Sequence, residues 1–119
     1  MNDAIHQVFQ QVSESGAWVP SLWKLEVANA IHQSTRRGRT SASHREGILS
    51  DLAALEINVD SETLIHAWGA TLRLADDHGL TVYDATYLEL ALRLNLPLAT
   101  LDRKLRSAAL AEAVLLLGI

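Results

Sequence analysis

Three acidic residues stand in otherwise apolar segments, and acids placed that way can act together. They are Glu26 in Leu25-Glu26-Val27-Ala28-Asn29-Ala30, Asp84 in Val82-Tyr83-Asp84-Ala85-Thr86-Tyr87, and Asp102 in Ala99-Thr100-Leu101-Asp102-Arg103. Carboxylates collected at one spot can hold a divalent cation, because hard ions prefer oxygen donors. Each acid also has a purely structural role open to it. Glu26 shares a helical face with Leu22 and Ala30 and can reach the solvated rim. Asp84 follows Thr81 by three residues, where a capping-box acid belongs. Asp102 is a good N-cap for the helix after it.

Other side-chain chemistry is sparse. The five histidines (His6, His32, His44, His66 and His78) show no His-x-x-x-His ligand spacing. No serine sits in a nucleophile-elbow pattern, and there is no Gly-rich phosphate loop. With no cysteine in the chain, disulfides and thiolate metal sites are excluded. Arg36, Arg37 and Arg39 form one basic group, and Arg103, Lys104 and Arg106 another. Either group could touch phosphate, or serve as a helix end and a solvated face. Trp18, Trp23 and Trp68 read as core or interface anchors, since none neighbours the basic groups. Tyr83 and Tyr87 flank Asp84, where they either line a cleft or pack.

The elements that must position these groups follow from the apolar periodicity. Residues 3–15 read as a helix with Ile5, Val8, Phe9 and Val12 on one face, stopped by Gly16. A strand is expected at 17–20, then a helix at 22–36 capped by Ser21 and ending in Arg36-Arg37-Gly38. Ser43 and Glu46 form a capping box for a helix through Leu55, and 57–59 is a short strand. Ser61 is expected to cap the next helix, with Leu64, Trp68, Leu72 and Ala75 buried and Gly79 beyond its end. Thr81 opens a helix to Asn95. Strands at 97–101 and 113–117 enclose a short helix at 103–111. This alternation predicts an α/β domain with a mostly parallel sheet and helices on both faces. In such sheets, sites lie beyond the carboxyl ends of the strands, and Asp102 sits two residues past Thr100.

The bulk properties agree with one domain spanning residues 1–119: 49% hydrophobic, 20% charged, mean hydropathy +0.10. The first residues lack a basic region followed by an apolar run, so no signal peptide is expected. The longest apolar run, Ala113–Leu117, is far short of the ~20 residues of a membrane helix, and the expected location is the cytoplasm. A net charge of -4 and a pI of about 5.6 argue against a non-specific nucleic-acid binder. They leave room for an enzyme that gathers carboxylates around a cation.

The phrases LEVANAI and VYDATYLELALRLNLPLATLD, with the spacing between them, resemble PIN domains, particularly the VapC-type toxins of bacterial toxin–antitoxin pairs. The resemblance implies a three-layer α/β domain whose mostly parallel central sheet is flanked by helices. It implies an endoribonuclease that hydrolyses RNA phosphodiesters with Mg²⁺ or Mn²⁺. Glu26, Asp84 and Asp102 match the family's catalytic, metal-holding acids, and Asn29 and Thr100 match its supporting polar residues. Arg36, Arg37, Arg103 and Lys104 are then candidates to contact the substrate. A VapB-like antitoxin whose tail covers the cleft and a homodimer are the implied partners. The apolar faces Ile5/Val8/Phe9/Val12 and Leu64/Trp68/Leu72 are available to them.

The sequence departs from the family pattern at its start. PIN domains usually begin with a hydrophobic strand ending in Asp, whereas this chain opens at Met1-Asn2-Asp3, where Asp3 reads as a helix N-cap. Relative to the pattern, the first strand and first acid are missing. The expectation is a site one carboxylate short, with weak Mg²⁺ affinity and weak cleavage. The sheet is expected either to close around the gap or to take a strand from a second chain. The same departure supports a rival reading, a degenerate PIN domain that only binds RNA or a protein.

Overall fold

Short apolar runs and amphipathic runs alternate in the computed structural model as they do in the sequence; it describes residues 10–117. Residues 10–15 are helical, while Asp3, Ile5, Val8 and Phe9 lie outside the described residues. Next come β1 (Ala17–Val19), α1 (Trp23–Arg36), α2 (Ala42–Ala53) and β2 (Ile57–Val59). A turn-rich stretch leads to α3 (Leu72–His78) and α4 (Val82–Leu94). The chain continues through β3 (Leu98–Ala99), α5 (Arg103–Ala111) and β4 (Leu116–Leu117). No helix among the described residues is long and apolar enough to cross a membrane.

The strands pair in parallel, as helical crossovers between them require. β1 runs beside β2 with Ala17 opposite Ile57, and β3 beside β4 with Leu98 opposite Leu116. The strands expected at 97–101 and 113–117 each shorten to two residues. Pro97 has no N–H to give a ladder, and Ala113 turns to a positive φ of 59° that ends any extended run before it. Among the described residues the two pairs stay separate and do not close into one sheet. A cavity of about 420 Å³ is lined by both, with Trp18, Val19, Leu98 and Ala99 on its walls and Tyr87 and Leu90 beside them.

The core is organised around α4. Its Ala85, Leu88 and Ala91 are buried against Leu74 and Ala75 of α3, Leu105 and Ala108 of α5, and Leu98 and Leu116 of the second strand pair. Alanines at the contacts let the helices approach closely, and Leu88 fills the space between them at 0% exposure. α4 is well delimited. Thr81 caps it by accepting the Asp84 N–H at 3.0 Å, and Asn95 ends it in the left-handed region at φ 54°. By contrast, α1 and α2 contain no fully buried residue, and a cavity of about 390 Å³ lies between them, lined by Trp23, Val27, Leu49 and Leu52.

Three expected caps fall elsewhere. Ser21 does not cap α1; its N–H donates to Thr63 Oγ1 at 3.0 Å, and the helix is entered through a turn from Pro20 to Trp23. Ser41, not Ser43, caps α2, because Ser41 is the extended residue whose Oγ accepts the His44 N–H. Ser61 caps nothing, since Asp60 takes that role: its carboxylate accepts from the Glu62 N–H at 3.2 Å and the Thr63 hydroxyl at 2.9 Å. The helix expected after Ser61 is also interrupted. Residues 61–66 form turns, and Ala67–Thr71 make one wide turn in which Gly69 leaves helical geometry. The predicted buried stripe is therefore lost: Ala75 is buried, but Leu64, Trp68 and Leu72 are exposed, Trp68 at 94%.

Two positions give sharp stability predictions. Gly16 ends the helical residues 10–15 at φ +75°, donating to Val12 O at 2.8 Å, and a Cβ there would lie 2.9 Å from the Glu56 carbonyl oxygen. That carbonyl accepts the Ala17 N–H that starts β1. Gly16→Ala is expected to cost about 2 kcal/mol or more in a urea unfolding titration. Thr71 is fully buried, and its hydroxyl has no hydrogen-bond partner among the described residues. Thr71→Val removes that unsatisfied group at constant shape. It is expected to raise stability by about 1 kcal/mol, read calorimetrically as about 3–5 °C in Tm.

Candidate active site

Glu26 lies in the first turn of α1 and Asp84 in the first turn of α4, both half-buried. Acids favour helix N-termini because exposed N–H groups and the helix dipole stabilise negative charge there. The two helices meet at Tyr87, one turn after Asp84 and on the same face of α4. The Tyr87 hydroxyl donates to Glu26 Oε1, and the ring packs against the core cluster. Burial above all, then the hydrogen bond to Glu26 and the charges of Glu26 and Asp84, hold this phenol protonated far above the usual tyrosine range. Glu26, 61 residues away in sequence, is thereby bonded to a side chain one turn from Asp84.

Asp102 serves as the N-cap of α5. Its Oδ2 accepts the Leu105 N–H at 2.9 Å, and its own N–H donates to Thr100 Oγ1 at 3.1 Å. The Thr100 carbonyl in turn accepts from Arg106 Nη1 at 2.5 Å, which pins the loop after β3. Asn29 is exposed on α1, with Oδ1 accepting from Gln33 Nε2 at 3.4 Å and no bond to Glu26. Arg36 and Arg37 are exposed at the end of α1; Arg103 and Lys104 are exposed at the start of α5, with Lys104 Nζ reaching Gly79 O at 3.5 Å. The two basic groups thus sit on different helices.

Among the described residues, no group of three or more His, Cys, Asp or Glu side chains stands close enough to hold a metal ion. Glu26, Asp84 and Asp102 do not form one such cluster; Tyr87 bonds Glu26 and lies one turn from Asp84 on α4. Two hard carboxylates still suit a cation that keeps most of its water, since Mg²⁺ is commonly held by one or two acids plus waters and substrate phosphate.

A second acidic group was not singled out in the sequence. Asp60, at the carboxyl end of β2, and Glu89, on α4, are each 4% exposed and share Arg93. Arg93 donates to Asp60 Oδ2 at 2.5 Å and Oδ1 at 3.1 Å, and to Glu89 Oε2 at 2.8 Å and Oε1 at 3.0 Å. The Arg93 hydrogen bonds, against the opposing effect of burial, hold the Asp60 carboxyl below the usual range. Only the i,i+4 spacing of Glu89 and Arg93 signalled this in the sequence. With every carboxylate oxygen of the pair engaged by one guanidinium, the group is a structural clamp between β2 and α4.

Comparison with known proteins agrees with this architecture. The PIN domain family model matches residues 2–110. Ribonuclease VapC3 from Pyrobaculum aerophilum is 37% identical over 84 residues, covering 67% of this chain; the chain spans 61% of that relative's length. The crystal structure of PAE2754, also from Pyrobaculum aerophilum, superposes with a TM-score of 0.61 at 25% identity, covering 88% of this chain and 75% of that one. With residues 2–110 matched and the parallel α/β architecture shared, the chain belongs to the PIN domain family.

Proposed function

We propose that this chain is a metal-dependent endoribonuclease of the VapC type, acting on RNA phosphodiesters in the cytoplasm. The observation that carries the reading is the hydrogen bond from the Tyr87 hydroxyl to Glu26, which ties the first turn of α1 to α4 one turn from Asp84. In this reading Glu26 and Asp84 supply the first hard donors for Mg²⁺ or Mn²⁺. Asp102, whose cap engages Oδ2 alone, is a third carboxylate only if it moves toward the pair when an ion binds, since the three do not stand together among the described residues; Asn29 and Thr100 are the proposed supporting residues. A bound divalent ion supplies Lewis acidity toward a phosphoryl oxygen and toward water. Arg103 and Lys104, exposed at the start of α5, contact the RNA backbone, and Arg36 and Arg37 extend that contact. A VapB-like antitoxin and a second copy are the proposed protein partners. Exposed Leu64, Trp68 and Leu72 and the cavity between α1 and α2 offer them apolar surface.

The test is cleavage of single-stranded RNA by the purified chain in Mn²⁺ or Mg²⁺, with and without EDTA. Metal-supported cleavage that EDTA stops is the expected result. A second reading is favoured by the lack of a three-acid group among the described residues: a PIN domain that binds RNA or a protein without cutting. RNA retarded in a gel but uncut under every metal condition would select that reading and end the first.

A further inference from the structure

Resting on the nuclease reading, we infer that Tyr87 is the positioning residue for Glu26, holding one carboxylate oxygen and leaving the other free to serve as a metal donor. α1 has no fully buried residue, so packing alone does little to fix the direction of its side chains. Glu26 has three rotatable bonds, and left alone it would spread over several rotamers in water. Tyr87 removes that freedom. Its ring is anchored in the core cluster, and its hydroxyl donates to Glu26 Oε1, the one hydrogen bond joining α1 to α4 among the described residues.

The bond engages Oε1 and leaves Oε2 as the donor for a cation. Tyr87 stands one turn from Asp84 on the same helix face, so the bond ties Glu26 to the helix that carries Asp84. A neutral phenol suits that position, since a charged group there would either repel both acids or neutralise them. Tyr87 touches neither substrate nor metal in this account; it acts through Glu26.

The experiment measures Mn²⁺ alone by electron paramagnetic resonance, with the full chain and no RNA. Tyr87→Phe keeps the ring and the core packing and removes only the hydroxyl, and it is expected to weaken Mn²⁺ binding about tenfold or more, the usual effect of losing a residue that orients a ligand. Glu26→Asp retracts the carboxylate from the phenol without touching the ring. It is expected to lose as much, and if Tyr87→Phe fails to fold, wild-type affinity in Glu26→Asp overturns the inference. Glu26→Gln and Asp84→Asn are the controls. If both controls lose Mn²⁺ while a folded Tyr87→Phe binds like the wild type, the inference about Tyr87 is wrong and the site stands. If the wild type holds no Mn²⁺, or neither control changes its affinity, the nuclease reading falls and the inference with it.

Discussion

Asp84→Asn is expected to lower Mn²⁺-supported RNA cleavage by about 100-fold or more, since loss of even a partner supporting a metal ligand costs about 10–100-fold, while the fold survives. The separation is built into the structure. α4 is capped through the Asp84 N–H and the Thr81 hydroxyl, and the substitution leaves both in place. What the fold loses is the charge at the helix N-terminus, worth about 0.3–1 kcal/mol. Asp102→Asn makes a sharper companion, because asparagine caps helices about as well as aspartate. If Asp102 belongs to the site, that variant stops cutting at unchanged stability. If it cuts like the wild type, capping α5 is the whole of its role. An Asp84→Asn protein that retains full cleavage would end the assignment of this site.

Arg93→Leu is expected to cost about 3–5 kcal/mol, because it leaves two buried carboxylates facing each other without their cation. Against a typical total of about 5–15 kcal/mol, that threatens the fold itself. Asp60 and Glu89 are 4% exposed, so water cannot replace the guanidinium without opening the contact between β2 and α4. The pH dependence should differ in sign between the two proteins. In the wild type the folded Asp60 carboxyl is held below its unfolded range, chiefly by the Arg93 hydrogen bonds. Its contribution is therefore present above about pH 4 and is lost as pH falls through the depressed folded value. In Arg93→Leu the same buried acids favour protonation, so the variant should gain stability as pH drops from 7 to 5. Urea midpoints at these pH values check both statements. Equal midpoints for the two proteins at pH 7 would show that the clamp contributes nothing.

Much of this protein is determined locally and can be read from residue order. The strands at Ala17–Val19 and Ile57–Val59 and the helices α1, α4 and α5 lie where the apolar period changes. The Thr81 and Asp102 caps follow from one polar residue at a helix entrance. The motifs around Glu26, Asp84 and Asp102 likewise carry the family, because a family pattern is a property of sequence.

Tertiary structure decided the rest. Which of Ser41 and Ser43 caps α2 depends on where the chain turns extended; the capping-box spacing to Glu46 pointed to Ser43, and Ser41 is the extended residue. Asp60 displaced Ser61 because Arg93, 33 residues away, holds its carboxylate in place. Leu64, Trp68 and Leu72 have a helical period but no surface to pack on once Gly69 breaks the helix. That the strand pairs stay apart among the described residues is not legible locally, because backbone pairing across a sheet depends on neighbours distant in sequence. Tyr87 makes the same point at the site. In the sequence it is one more aromatic beside an acid, and only the packing of α4 against the core brings its hydroxyl to Glu26, 61 residues away.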